Sequence, residues 1–226
     1  MQVNNSIIIP VELGHVFCFL IKGEKTILVD TGVPGCSDKI FAKMNEVGIK
    51  PEDVSLILIT HGHLDHYGSL AEVQTKIKAK VAIQRKAADS LRTGTNEVVK
   101  PTSFMSRIIS ILMASQMNKK IPGTEPEIIF KDKLDLNEYG VKGQVISTPG
   151  HTPGSVSVIL ENGETIVGDM IGGKFSKPSE PTIPFFAADL DLLKKNVHKV
   201  LEFEPMVIYA SHGGPFSTEA VKKYFA

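Results

Sequence analysis

Residues Val54 to Thr60, VSLILIT, form a nearly unbroken apolar run that ends directly against His61-Gly62-His63-Leu64-Asp65-His66. A run of this length with polar residues on either side reads as a β-strand buried on both faces. Such a strand belongs inside a layered α/β body. The three histidines and the aspartate then fall where a rigid strand stops and the chain turns, which is where a fold can aim side chains into a cleft.

The rest of the chain is read around that strand. Ser6 to Pro10, His15 to Ile21 and Thr26 to Asp30 are expected to form an antiparallel meander, the last two joined at Gly23-Glu24. Ser37 to Val47 carries Ile40, Phe41, Met44 and Val47 at helical spacing, and His66 to Ile77 repeats the pattern with Leu70, Val73 and Ile77. Lys80 to Gln84 is a further strand. Residues from about 86 to 126 break the alternation and supply Phe104, Met105, Ile108, Ile109, Ile111, Leu112, Met113 and Met117. This stretch is expected to be a helical insertion that packs against the body and roofs the cleft. Strand signals return at Ile128 to Phe130, Val145 to Thr148, Ser155 to Leu160 and Thr165 to Val167, with Asn162-Gly163 marking a hairpin between the last two. Asp189 to Phe203 reads as a helix and Met206 to Ala210 as a buried strand. No internal repeat or linker interrupts residues 1–226, so one domain is expected.

Composition narrows the function classes. With 25 Lys+Arg against 25 Asp+Glu the formal net charge is zero, which disfavours a general polyanion-binding surface. No apolar run approaches the roughly 20 residues that cross a bilayer, and Met1 to Pro10 lacks a basic segment followed by an apolar one. The two cysteines, Cys18 and Cys36, are too few for a disulfide framework and form no CxxC pair. A soluble cytoplasmic protein acting on a small molecule is expected, without nucleic-acid or membrane partners and with a homodimer as one option.

The segment His61 to His66 has the form HxHxDH, with residue types that zinc and neighbouring divalent metals favour. A loop at the strand end can turn His61 and His63 towards one metal and Asp65 and His66 towards another. Three other expected strand ends carry the same residue types in turn settings: Thr148-Pro149-Gly150-His151, Val167-Gly168-Asp169 and Ala210-Ser211-His212-Gly213-Gly214. His15, placed in a strand, and His198, placed in a charged helix, are expected to be structural. There is no GxSxG elbow, no GxxxxGK[ST] loop and no GxGxxG.

With these residues in this order, from Asp30 to His212, the chain resembles the metallo-β-lactamase-fold hydrolase superfamily over nearly its full length. The resemblance implies a four-layer αβ/βα sandwich, two mixed β-sheets with helices outside. It implies that His61, His63 and His151 bind a first metal, that Asp65, His66 and His212 bind a second, and that Asp169 bridges them. Asp65 would also carry a catalytic role, and Asp30, in the VDTG element, would stand behind the ligands. Two divalent ions are implied, most often Zn2+, with iron or manganese as alternatives. Such a pair shares a water and turns it into a bridging hydroxide nucleophile.

Branches of the superfamily can be ranked on this sequence. β-Lactamases of this fold lack the bridging carboxylate that Asp169 would supply. Glyoxalase II-like thioesterases share the ligand set but add a helical C-terminal domain, and 14 residues follow His212 here. RNA-processing members need an extra domain or a basic exosite, and flavodiiron proteins have Glu at the position of His63. The expectation is a glyoxalase II-like or lactonase-like hydrolase of an ester, thioester or lactone with a hydrophobic part, met by the apolar insertion and by Ile183, Pro184, Phe185 and Phe186. The alternatives are a mononuclear-iron persulfide dioxygenase using His61, His151 and Asp169, a phosphodiesterase, and an effector-binding protein of low activity.

Overall fold

In the computed structural model, which describes residues 6–112 and 114–226 with the side chains of Gln116 and Met117 excepted, the chain opens as a meander. Strands β1 (Ile7–Glu12), β2 (Phe17–Lys22) and β3 (Thr26–Val29) pair antiparallel, with Ile9 opposite Leu20 and Leu20 opposite Leu28. Helix α1 (Ser37–Glu46) then crosses over, so β4 (Val54–Ile59) lies parallel to β3. Helices α2 (Leu64–Tyr67) and α3 (Leu70–Lys76) return the chain to β5 (Lys80–Gln84), again parallel. Next come α4 (Ala88–Thr93), the short β6 (Lys100–Pro101), α5 (Phe104–Leu112) and α6 (Ala114–Met117), before β7 (Ile128–Phe130) closes the first sheet beside β5. Its order is β1-β2-β3-β4-β5-β7.

The second sheet is mostly antiparallel. It uses β8 (Lys133–Asp135), β9 (Gly143–Ser147), β10 (Val156–Leu160) and β11 (Glu164–Ile166). A hairpin of β12 (Gly172–Lys174) and β13 (Lys177–Thr182) follows, then β14 (Phe186–Ala187), which pairs with β6. Helix α7 (Leu190–Leu201) carries the chain to β15 (Val207–Tyr209), parallel to β11, and β16 (Phe216–Ser217) leads into α8 (Thr218–Phe225). The order is β16-β15-β11-β10-β9-β8.

The two sheets face each other across a shared apolar layer in which Phe19, Val29, Leu56 and Leu58 meet Val145, Val156, Val158 and Ile166. The opposite face of the first sheet packs against α1, α3 and α4 through Ile40, Met44, Val73 and Leu91. That of the second packs against α7 and α8 through Leu193, Val197, Val200 and Val221. The result is the four-layer αβ/βα sandwich of two mixed sheets. It explains why every residue of β4 but Ser55 is buried: a strand with a sheet on one side and helices on the other has no solvated face.

Several local expectations change. His15 lies in an exposed bend between β1 and β2 rather than inside a strand. The helix expected over His66 to Ile77 breaks at Gly68-Ser69, because the carbonyl of His66 is bonded to Thr31 N–H at 2.6 Å and Pro34 packs so close that a Cβ on Gly68 would sit 2.4 Å from its ring. Residues 86–126 contain helices but also the β6 strand. The expected packing of the insertion's apolar side onto the body is reversed in α5, where Ser106 is buried while Phe104, Met105, Ile108, Ile111 and Leu112 are exposed. Ser103 and Ser106 cap this helix reciprocally, each hydroxyl accepting from the other's backbone N–H. Met113 and the Met117 side chain fall outside the described residues.

Candidate metal centre

Four strand-end segments place the seven residues. His61 and His63 follow β4, Asp65 and His66 ride on α2, His151 sits in the turn between β9 and β10, Asp169 follows β11, and His212 follows β15. Because α2 begins directly after His63, one short stretch delivers residues to both halves of the cluster.

In the first half, His61 Nε2 and His151 Nε2 lie 3.1 and 3.2 Å from His63 Nδ1. In the second, His212 Nε2 is 3.2 Å from Asp65 Oδ2, and His66 Nε2 is 3.8 Å from the same oxygen. Asp169 stands between the halves. Its Oδ2 is 3.6 Å from His151 Nε2, 4.0 Å from His61 Nε2 and 3.4 Å from His212 Nε2, while its Oδ1 is 3.4 Å from His66 Nε2. Among the described residues, three trios have donor atoms close enough to hold an ion: His61, His63 and His151; His61, His66 and Asp169; and Asp65, His66 and His212. Asp65 and His212 are more than one-third exposed and the other five are nearly or fully buried, so the cluster opens to solvent on their side.

The partners on the outside of the cluster decide which way each ring presents its lone pair. His151 Nδ1–H donates to the carbonyl of Phe186 at 2.8 Å, His63 Nε2–H to that of Glu97 at 3.0 Å, and His212 Nδ1–H to that of His15 at 2.7 Å. His66 Nδ1–H donates to Asp30 Oδ2 at 2.9 Å. The Thr60 hydroxyl gives its own proton to Asp30, so at 3.1 Å it accepts from His61 Nδ1–H. Each outer nitrogen thus keeps a proton, and the five inner nitrogens are turned towards one another and the carboxylates.

Five inner nitrogens and two carboxylates converge, a donor set that a cation would satisfy. His66 Nε2 and Asp169 Oδ1 are buried and hydrogen-bonded to no described residue. The donor set fits zinc, iron or manganese. The electrostatics agree. Burial, reinforced by the neighbouring rings, holds His61 well below the ordinary imidazole range and lowers His151 to about 4. Burial also lowers His63. For His66 and His212 burial acts in the same direction but Asp169 and Asp65 outweigh it, so both rise, His212 to about 10. In return these imidazoles pull Asp65 and Asp169 down against their own desolvation. In a metal-free cluster the carboxylates therefore keep protons on two rings, and a divalent cation takes those protons' place.

All seven residues picked from the sequence are brought together, with Asp30 behind them, while His198 is exposed on α7 and belongs to none of these groups. Glu97, Thr60 and the carbonyls of His15 and Phe186 were not singled out from the sequence. A backbone carbonyl leaves no signature in a sequence, and Glu97 lies in an insertion with no motif.

The chain is similar to known proteins. The family model of the metallo-beta-lactamase superfamily matches residues 11–212. A probable metallo-hydrolase of Methanocaldococcus jannaschii is 33% identical over 153 residues, 68% of this chain and 66% of that protein, just under two thirds of its length. An N-acyl homoserine lactonase of Bacillus cereus is 24% identical over 239 residues, covering 92% and 86% of the two chains. Among solved structures, the B3 metallo-beta-lactamase BLEG-1 superposes with a TM-score of 0.71 at 20% identity, covering 96% of this chain and 97% of its own. An archaeal metallo-beta-lactamase superfamily protein from Sulfolobus tokodaii gives 0.64 at 21% identity over 98% and 85%. These two likenesses concern the fold.

Proposed function

The chain belongs to the metallo-beta-lactamase superfamily, and on that footing we propose that it is a metal-dependent hydrolase cleaving an ester, thioester or lactone that carries a hydrophobic part. The observation that carries this reading is the set of five imidazoles whose outer nitrogens are each occupied, so that their inner nitrogens face two carboxylates.

In this reading His61, His63 and His151 would hold one cation and Asp65, His66 and His212 a second, with Asp169 available to both. Bound divalent cations, most readily zinc, supply Lewis acidity and an activated water at neutral pH. The chain's residues do the rest. Asp169, buried between the halves, fixes their separation with its two oxygens. Asp65 and His212, the more exposed pair, form the solvent-facing edge, and the Asp65 carboxylate would orient a water there. The Asp30-His66 and Thr60-His61 contacts keep the rings from turning as charge develops.

The hydrophobic part of the substrate is inferred from the rim. Phe185 is 45% exposed beside Phe186, whose carbonyl holds His151, and the exposed apolar side of α5 follows the β6 strand that pairs with this stretch. The lactonase relative supports a lactone among the candidate substrates.

The test is elemental analysis of protein purified without added metal, paired with initial rates on aryl esters, thioesters and lactones of graded acyl length. Near two equivalents of metal with hydrolysis supports the reading. One equivalent of iron with no hydrolysis, and oxygen uptake on glutathione persulfide, would replace it with a dioxygenase.

A further inference from the structure

Between α4 and β6, Glu97 uses four of its atoms on the loops that carry the first three histidines. Its backbone N–H donates to the carbonyl of Gly62 at 2.8 Å, and its Oε2 accepts from the N–H of the same glycine at 2.7 Å. Gly62, set between His61 and His63, therefore has both of its main-chain polar groups tied to one residue. The other carboxylate oxygen, Oε1, accepts from Gly154 N–H at 3.2 Å, in the turn that follows His151. The carbonyl of Glu97 receives His63 Nε2–H at 3.0 Å, leaving His63 Nδ1 turned towards His61 and His151.

These contacts are built into the packing. A Cβ on Gly62 would lie 3.0 Å from Glu97 Cγ and Oε2 and 2.7 Å from Ser90 Cβ, so only glycine allows this approach. The neighbouring residue repeats the device, with Asn96 Oδ1 accepting from Leu64 N–H at 2.7 Å at the start of α2. Tyr67 adds a third tie through its hydroxyl, which donates to the carbonyls of Ser90 and Thr95. Charge-assisted bonds from main-chain N–H groups to a carboxylate are among the stronger hydrogen bonds a loop can make.

We propose that Glu97 is the positioning residue of the His61, His63 and His151 subsite: it locks the two loops that carry these rings to each other and sets the ring orientation of His63. Glu97 is not itself a ligand. Both of its carboxylate oxygens are taken up by backbone amides, and it belongs to none of the ion-holding trios. The role makes the first subsite dependent on the insertion: a shift of the segment around residue 97 moves His63 and the His151 turn together.

This rests on the metal-centre reading above, and the experiment separates the two. Wild type, Glu97→Ala, Glu97→Gln and, as a control on the same insertion, Glu125→Gln are loaded with Co2+. Each is titrated with a chelator while the visible absorption of the bound cobalt is followed, and each is also melted in its chelated form. Glu125 is exposed and paired with Arg92, so its variant should track wild type. Alanine removes both carboxylate bonds, and glutamine keeps one acceptor but turns an NH2 group towards an amide. Both variants should release cobalt at chelator concentrations about 10- to 100-fold lower than wild type, with an altered cobalt spectrum. The glutamine variant should still melt with the chelated wild type, which separates positioning from support of the fold and carries the test if the alanine variant does not fold. If wild type binds no cobalt, the hydrolase reading fails. If wild type binds it and both variants hold it equally well with the same spectrum, the role of Glu97 alone is overturned.

Discussion

Asp30 Oδ2 accepts from Nδ1 of His66 at 2.9 Å, across 36 positions of sequence, from a backbone in the left-handed region at φ 63. In that conformation its other oxygen also reaches Thr60 N–H at 2.8 Å, and the Thr60 hydroxyl donates to Oδ2 at 2.7 Å. The carboxylate therefore clamps the end of β3 to the end of β4 and sets the rings of His66 and, through Thr60, of His61. Left-handed backbone is tolerated best, after glycine, by Asn and Asp.

Replacing Asp30 separates these roles. Asp30→Asn keeps the left-handed residue type and one acceptor, whereas Asp30→Ala loses the acceptors and strains the backbone. Metal affinity read by chelator competition should fall by about 10- to 100-fold in the alanine variant, with a smaller loss for asparagine. Equal affinity in all three proteins would remove Asp30 from the support of the centre.

Asp169→Ala removes the carboxylate that lies between the two halves. Metal content by elemental analysis should drop from near two equivalents to one or fewer, and turnover should fall with it by on the order of 100-fold. Unchanged content and activity would show that the ligand assignment is wrong.

The low value of His151 sets a pH dependence for the chelated protein. The ring titrates near 4 when folded against an ordinary 6.5, so between these values the unfolded chain binds more protons than the folded one. Stability of the metal-free protein should therefore decline as pH falls from about 6.5 to about 4, and His151→Gln should make this part of the curve shallower, the lowered His61 and His63 keeping the rest of the slope. Thermal melts across that window, on chelated wild type and variant, make the comparison. Parallel curves would contradict it.

Phe185 tests the substrate class. Phe185→Ser should raise KM for long-acyl esters or lactones more than for short ones, because the lost contact is with the apolar part and not with the bond that is cleaved. Equal changes across the acyl series would detach the rim from recognition.

The sequence by itself determined the strand that organises the centre and the HxHxDH segment that ends it, and through its family resemblance it named the seven residues that meet there. VSLILIT, short, rich in β-branched residues and bounded by polar ones, reads as a doubly covered strand, and HxHxDH is legible as a local pattern, whereas His151, Asp169 and His212 mark turns at strand ends that only the family resemblance joins to it. Only the tertiary structure decided which rings point inward, because that depends on the carbonyls of His15, Glu97 and Phe186, and every residue carries a carbonyl. It also decided that α5 turns its apolar side outward. Periodicity shows that a helix has an apolar face, but which way that face turns depends on what the rest of the chain leaves beside it.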